Sequence, residues 1–311
     1  MGMYLIRRFF IMIATILVIA TLTFILMHSI PGNPFTTQDR STSEAVQENL
    51  NAHYHLDEPM IVQYGIWLKS LATFDFGPSI KQPTETVNDL LGRGFPISAE
   101  LGMWTITIAL ISGITLGVLA ALKHNGIIDY IAMTLAVLGI SIPNFILATL
   151  LIQQLAVNLQ LLPAATWSSP MHMIMPIIAL ATGPTAIIAR LTRSSMLEVL
   201  TQDYIKTARA KGLSPAKIVI KHALRNALMP VVTILGTLVA AILTGTFVIE
   251  RIFAIPGMGK YFVESINNRD YPVIMGTTVF YSAFLIFMLF LVDVVYSILD
   301  PRIKLHKKGG S

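Results

Sequence analysis

Few side chains in this 311-residue sequence are of a type and spacing that could make or break bonds. There is no cysteine, so no disulfide, thiolate metal site or thiol nucleophile can form. Neither an HExxH zinc motif nor a GxSG nucleophile motif occurs, and no pair of aspartates lies within an apolar run. Gly257-Met258-Gly259-Lys260-Tyr261 comes nearest to a phosphate loop, yet it lacks the leading Gly and the closing Ser or Thr of GxxxxGK[ST]. His53-Tyr54-His55 with Asp57 and Glu58 has the residue types of a metal site. Histidines two positions apart cannot share one face of a helix, so no metal site is assigned there. No residue is assigned a catalytic role.

The elements that must position the remaining polar groups are apolar. Hydrophobic residues make up 54% of the chain and charged residues only 13%, about half the charged share of a soluble domain. Residues 9–27 run without a charge behind Arg7 and Arg8, long enough to cross a bilayer of about 30 Å and too long for the apolar region of a signal peptide. Further apolar runs cover about 99–122, 127–155, 171–191, 228–249 and 273–298. The sequence therefore predicts an all-α membrane protein of six transmembrane helices. Three regions follow: 1–28 with the first span, an external segment over 29–97 with eight acids against four bases, and a five-span core over 98–311. Within the external segment, Ser41-Thr42-Ser43-Glu44 fits a capping box before one short helix, and Pro59 opens a second. With the N-terminus in the cytoplasm, fifteen Lys and Arg fall inside and seven outside, so both termini are placed in the cytoplasm.

Pro143 interrupts the third span, and Pro176, Gly183 and Pro184 the fourth, which frees backbone groups that need protein or water as partners. Gly113 and Gly117 form GxxxG in the second span, a spacing that favours close helix approach. Asn144, Gln153 and Gln154 either line a cavity or bond helix to helix, and Thr246 is a further path candidate. Glu250 and Arg251, where the fifth span leaves the bilayer, either line an outer gate or form an interfacial ion pair with both heads in water. Asp293 lies two turns from the end of the last run and is read as a structural contact to Arg or backbone.

The stretch from Asp203 to Met229 is basic and lies between the fourth and fifth spans. Gly212 permits a reversal and Pro215 tolerates the first turn of a new helix, so a helical hairpin over about 199–227 is predicted. Lys217, Lys221 and Arg225 recur every four residues beside Ile218, Val219 and His222, a pattern that suits a protein groove or lipid headgroups alike.

Here the sequence resembles the membrane-spanning subunits of ABC importers, in particular the dipeptide, oligopeptide and nickel permease group. Thr207-Ala208-Arg209-Ala210-Lys211-Gly212 and His222-Ala223-Leu224-Arg225-Asn226-Ala227 look like the EAA loop of that group. Tyr4-Leu5-Ile6-Arg7-Arg8, Pro31-Gly32-Asn33-Pro34, Leu56-Asp57-Glu58-Pro59, Phe74-Asp75-Phe76-Gly77, Glu250-Arg251-Ile252-Phe253 with Pro256-Gly257-Met258-Gly259, and Asp300-Pro301-Arg302 match its other signatures in order. The general motif has Glu and Ala where Lys206 and Thr207 stand, and the group usually has Asp at Asn33.

The resemblance implies a type I ABC importer permease fold in the bacterial cytoplasmic membrane, and a hairpin whose Tyr204, Thr207, Ala208, Lys211, Gly212, Leu213, Ser214 and His222 couple to an ATPase. It further implies a heterodimer with a C-type permease subunit, two ATPase subunits that use ATP and Mg, and an extracellular or periplasmic peptide-binding protein. No cofactor bound directly and no nucleic-acid partner is implied. The long external segment points to the B-type subunit of an oligopeptide system, with dipeptide or nickel as other cargoes. A self-sufficient secondary transporter would be expected to carry several buried charges and inverted repeats, and an intramembrane enzyme lacks a part of every chemistry considered above.

Overall fold

The computed structural model describes residues 2–29, 51–52 and 55–299. The capping box at 41–44, the motifs at 31–34 and 300–302, His53, Tyr54 and the side chain of Asp293 lie outside the described residues. Among the described residues every regular element is helical, apart from an isolated antiparallel bridge between Pro78 and Thr86. In chain order the helices are α1 (Gly2–Ser29), α2 (Met60–Thr73), α3 (Val87–Leu122), α4 (Ile127–Ser141), α5 (Asn144–Leu151), α6 (Pro170–Leu200) and α7 (Asp203–Ala210). After a second hairpin arm come α8 (Met229–Ile252), α9 (Met258–Asn268) and α10 (Tyr271–Leu299).

Five of these are long and apolar enough to cross a membrane: α1 from Leu5, α3, α6, α8 and α10 through Leu291. The third predicted span is the exception, and a single helix there is corrected. It breaks at Ile142 and Pro143 into two halves, Ile127–Ser141 and Asn144–Asn158, bent by 104°. Pro143 disfavours helical geometry in the residue before it, and Ile142 is accordingly extended at ψ 118°. Counted as one broken span, the pair brings the total to six. A second correction concerns α3, which opens at Val87, well before the apolar run near 99. Its first turns carry Asn88, Asp89, Arg93 and Pro96, polar or breaking residues that hide a helix from an apolar window. Pro59 stands at the N-cap position of α2, as its place before the apolar periodicity suggests.

The chain divides into two compact units. One contains Gly2–Ile97 and Pro256–Phe287. Its core places Trp67 of α2 against α1, with the indole N–H donating to the Ala20 carbonyl at 3.3 Å, and Thr21 meets the Tyr64 hydroxyl at 2.7 Å. Phe95 stands edge-on to Phe280 and Phe284, at centroid distances of 5.2 and 4.8 Å. Asp270, buried just before α10, accepts hydrogen bonds from the Ser79 hydroxyl and from the backbone N–H groups of Ile80 and Lys81 at 3.2 and 3.1 Å. One carboxylate thus ties the external loop to the start of the last long helix.

The other unit contains Ser98–Ile255 and the chain from Met288. Here the GxxxG of α3 meets α6. A methyl group added at Gly113 would lie 2.7 Å from Ile188 Cβ, and one at Gly117 2.6 Å from the Ala189 carbonyl oxygen and Thr192 Cβ. At Gly139 of α4 it would lie 2.9 Å from Thr182 Cγ2. Only glycine allows these backbones to approach so closely. Ala109, Ala181, Ile188, Val231 and Leu238 close the core between α3, α6 and α8.

Candidate functional site

The hairpin is built from two amphipathic arms joined by a helix-terminating turn. The first arm, α7, ends with Gly212 at φ +73°, a left-handed conformation open to glycine without strain. Gly212 N–H donates to the Arg209 carbonyl at 2.9 Å and Leu213 N–H to the Ala208 carbonyl at 3.3 Å, the two bonds of a Schellman cap. Ser214 and Pro215 then start the second arm, with Pro at the first helical position.

That second arm departs from the even four-residue spacing in its sequence. Pro215–Lys217 and Leu224–Ala227 are α-helical, but Ile218–Ala223 between them is a π-turn with i→i+5 bonding. The wider turn sets the inward residues at Ile218, Ala223 and Ala227, spaced five and then four apart, all buried. Together with Ile205 and Ala208 of α7 they pack on Ala121 at the end of α3 and Met196 of α6. The hairpin is therefore seated on the helix ends and does not hang freely from them. Tyr204 accepts a hydrogen bond from Asn226 Nδ2 at 2.8 Å, which links the two arms on the outer side.

The sequence-derived hairpin residues divide by exposure. Tyr204, Thr207, Lys211, Gly212 and Ser214 are exposed and form an outward surface at the tip and flank. Ala208 is 5% exposed, while Leu213 and His222 are half-buried. Ala208 and Leu213 pack within the hairpin's own core and so position the exposed residues. Lys217, Lys221 and Arg225 are all exposed and flank the outward surface with positive charge.

Beside this seat lies an ion pair that no sequence spacing announced. Asp129, 2% exposed in the first turn of α4, takes two bonds from Arg193 of α6: Nε to Oδ1 at 2.5 Å and Nη2 to Oδ2 at 2.7 Å. Asn125 N–H donates to Oδ2 at 2.9 Å, and His124 Nδ1 lies 3.2 Å from the same oxygen. A bidentate guanidinium pair between two helices fixes both distance and angle.

The path and gate candidates fall elsewhere in the same unit. Glu250 is wholly buried and accepts a hydrogen bond from Ser98 Oγ at 2.7 Å, so the reading with both heads of a Glu250–Arg251 pair in water is corrected. A hydroxyl of α3 and the packing around the end of α8 provide what water would otherwise supply. Arg251 is exposed. Thr246, also wholly buried, donates to the Leu243 carbonyl at 2.8 Å within its own helix. Asn144 and Gln153 are exposed on the second half of the broken span. In the other unit, Gly257, Met258 and Gly259 are buried at the start of α9, so the fragment that resembles a phosphate loop offers no open cradle.

Comparison with known proteins agrees with this architecture. Residues 113–305 match the family of binding-protein-dependent transport system inner membrane components, and residues 1–101 match the N-terminal region of such membrane components. The dipeptide transport system permease protein DppB of Bacillus subtilis is 74% identical over 309 residues, 99% of this chain and 100% of its own length. The oligopeptide transport system permease protein OppB of Haemophilus influenzae is 42% identical over 303 residues, 97% of this chain and 99% of its own. Among solved structures, an inward-facing MetNI methionine ABC transporter chain superposes with a TM-score of 0.56 at 21% identity, covering 68% of this chain and 96% of that one. An amino acid ABC transporter chain does so with a TM-score of 0.54 at 15% identity, covering 68% and 94%. With its helical architecture and full-length likeness to permease subunits, the chain belongs to the family of binding-protein-dependent transport system inner membrane components and has the fold of a type I ABC importer permease.

Proposed function

We propose that this chain is one of two membrane-spanning halves of an ATP-driven importer of peptides, and that its hairpin receives the motion of an ATPase. The observation that carries this reading is the two-sidedness of the hairpin. Ile205, Ala208, Ile218, Ala223 and Ala227 bury one side against α3 and α6, while Tyr204, Thr207, Lys211, Gly212 and Ser214 present the other. A rigidly seated, outwardly exposed element can pass a push to the helices on which it sits.

The partners in this reading are a second, C-type permease subunit, two cytoplasmic ATPases that use ATP and Mg, and an external peptide-binding protein. Both termini and the hairpin are cytoplasmic, in keeping with fifteen positive residues on that side against seven outside. The cargo is peptide. The external segment argues for oligopeptides, and the 74% identity to a dipeptide permease argues for dipeptides. Both belong in the same assay, and the dipeptide is tried first.

Co-purification tests the coupling. The tagged subunit, extracted in mild detergent with its neighbours co-expressed, is expected to bring Walker-motif ATPases in stoichiometric amount. Gly212→Asp is expected to lose them. Nothing lies within 4 Å of the position a side chain would take, and Asp tolerates the left-handed backbone better than most residues, so the fold is kept while a negative charge is planted at the tip. An unsubstituted subunit that purifies alone, or ATPases retained in full by Gly212→Asp, refutes the coupling role. Uptake of labelled dipeptide and pentapeptide into proteoliposomes holding the whole complex then assigns the cargo.

A further inference from the structure

Polar side chains are scarce along the broken span, yet three carboxamides gather on one turn. Gln153, Gln154 and Asn158 belong to the π-turn Ile152–Asn158, and all three are exposed. Gln153 Nε2 donates to Asn158 Oδ1 at 3.2 Å, and Asn158 Nδ2 donates to Gln154 Oε1 at 3.1 Å. Among the described residues, Gln154 Nε2 has no acceptor. The i→i+5 repeat is what makes this set possible. It brings residues four and five apart onto one face, where an α-helix would turn the fifth by about 140° away from the first.

The chemistry of three clustered carboxamides favours water over lipid on that face. The turn follows the 104° break at Pro143, and backbone that leaves the helix within a membrane protein is tolerated where it is covered by protein or lines an aqueous cavity. In secondary transporters, discontinuous helices form the substrate sites. Lipid tails offer an amide neither donor nor acceptor.

A peptide bond carries one N–H and one C=O, and a carboxamide carries the complementary pair. Such a group can hold a main chain whatever its side chains are, and being neutral it holds it without the grip of an ion pair. We propose that Gln153, Gln154 and Asn158 form a ladder that faces the aqueous path and contacts the main chain of the passing peptide, with Gln154 Nε2 donating to a peptide carbonyl. This rests on the peptide-importer reading above.

The absence of native cysteine makes the test clean. Gln154→Cys and, as an exposed reference in the middle of the apolar span α1, Val18→Cys are placed singly in the assembled importer in proteoliposomes. Each is treated with a charged, membrane-impermeant methanethiosulfonate, and modification of this chain is followed by mass. Gln154→Cys is expected to react at least about tenfold faster than Val18→Cys. Delivery of peptide by loaded binding protein, with a non-hydrolysable ATP analogue holding the complex, is expected to slow it about fivefold, as roughly 80% occupancy requires. Failure of Gln154→Cys to react from water overturns the proposal, and so does reaction at the same rate with and without peptide. Peptide uptake by the unsubstituted importer is measured beside it. If that importer takes up no peptide while Gln154→Cys still reacts from water, the peptide reading is what falls, and this assignment with it.

Discussion

Breaking the Asp129–Arg193 pair from its two ends should have unequal effects. Arg193→Leu leaves a carboxylate that is 2% exposed without its two guanidinium bonds. Removal of one partner from a buried pair costs about 3–5 kcal/mol. Asn125 N–H still donates at 2.9 Å and His124 stays within reach, so the low end applies, about 3 kcal/mol. Asp129→Asn, in contrast, keeps an oxygen for Asn125. It leaves behind an Arg193 whose side chain is 24% exposed and can turn its head to water, for a loss of about 1 kcal/mol. The double variant should cost little more than Asp129→Asn alone, a coupling of about 2 to 3 kcal/mol. Equilibrium unfolding in mixed micelles, followed by tryptophan fluorescence, measures all four corners of the cycle. Equal losses from the two single variants, or a coupling below about 0.5 kcal/mol, would refute the assignment of this pair as the buried clamp between α4 and α6.

Gly117→Leu should destabilise by about 1–3 kcal/mol or more, because the added Cβ alone meets α6 at 2.6 Å; Gly65→Ala in α2, where nothing lies within 4 Å, should stabilise by about 0.5–1 kcal/mol in the same unfolding assay. Asp270→Ala removes the acceptor for Ser79, Ile80 and Lys81 and should cost about 2–4 kcal/mol. Limited proteolysis reads it directly, with new cleavage expected between residues 74 and 86 and none elsewhere.

The apolar stretches of the spans were legible because a bilayer demands about 20 uninterrupted apolar residues, a signal that needs no tertiary context. The start of α3 was not, since Asn88, Asp89, Arg93 and Pro96 give its first turns the composition of a loop. Pro143 announced an interruption, but a bend of 104° depends on what packs beside the break, and sequence spacing carries no such angle. The hairpin was readable from Gly212 and Pro215. The π-turn at Ile218–Ala223 was not, because Lys217, Lys221 and Arg225 fit an α-helical stripe and the inward set fits only the wider repeat. One of the two readings of Glu250, beside the outer gate, put its head in water because acids at a span's end ordinarily reach it. Its partner Ser98 stands 152 positions away, beyond the reach of any local pattern. Asn158 was passed over for a different reason: five residues from Gln153, it stands on another face until the turn widens.

The glycines at 113, 117 and 139 have a mechanical consequence. Where Gly113 and Gly117 of α3 and Gly139 of α4 face α6, only α6 contributes side chains, the β-branched Ile188, Thr192 and Thr182, whose rotamers are few and yield little. Contacts of this kind act as stiff joints. The hairpin is seated on Ala121 and Met196, each about one turn beyond the Gly117 contact on its own helix. A load applied at Thr207 or Lys211 would therefore reach α3 and α6 with little slack, and the compliance would be concentrated at the sharp break at Ile142 and Pro143.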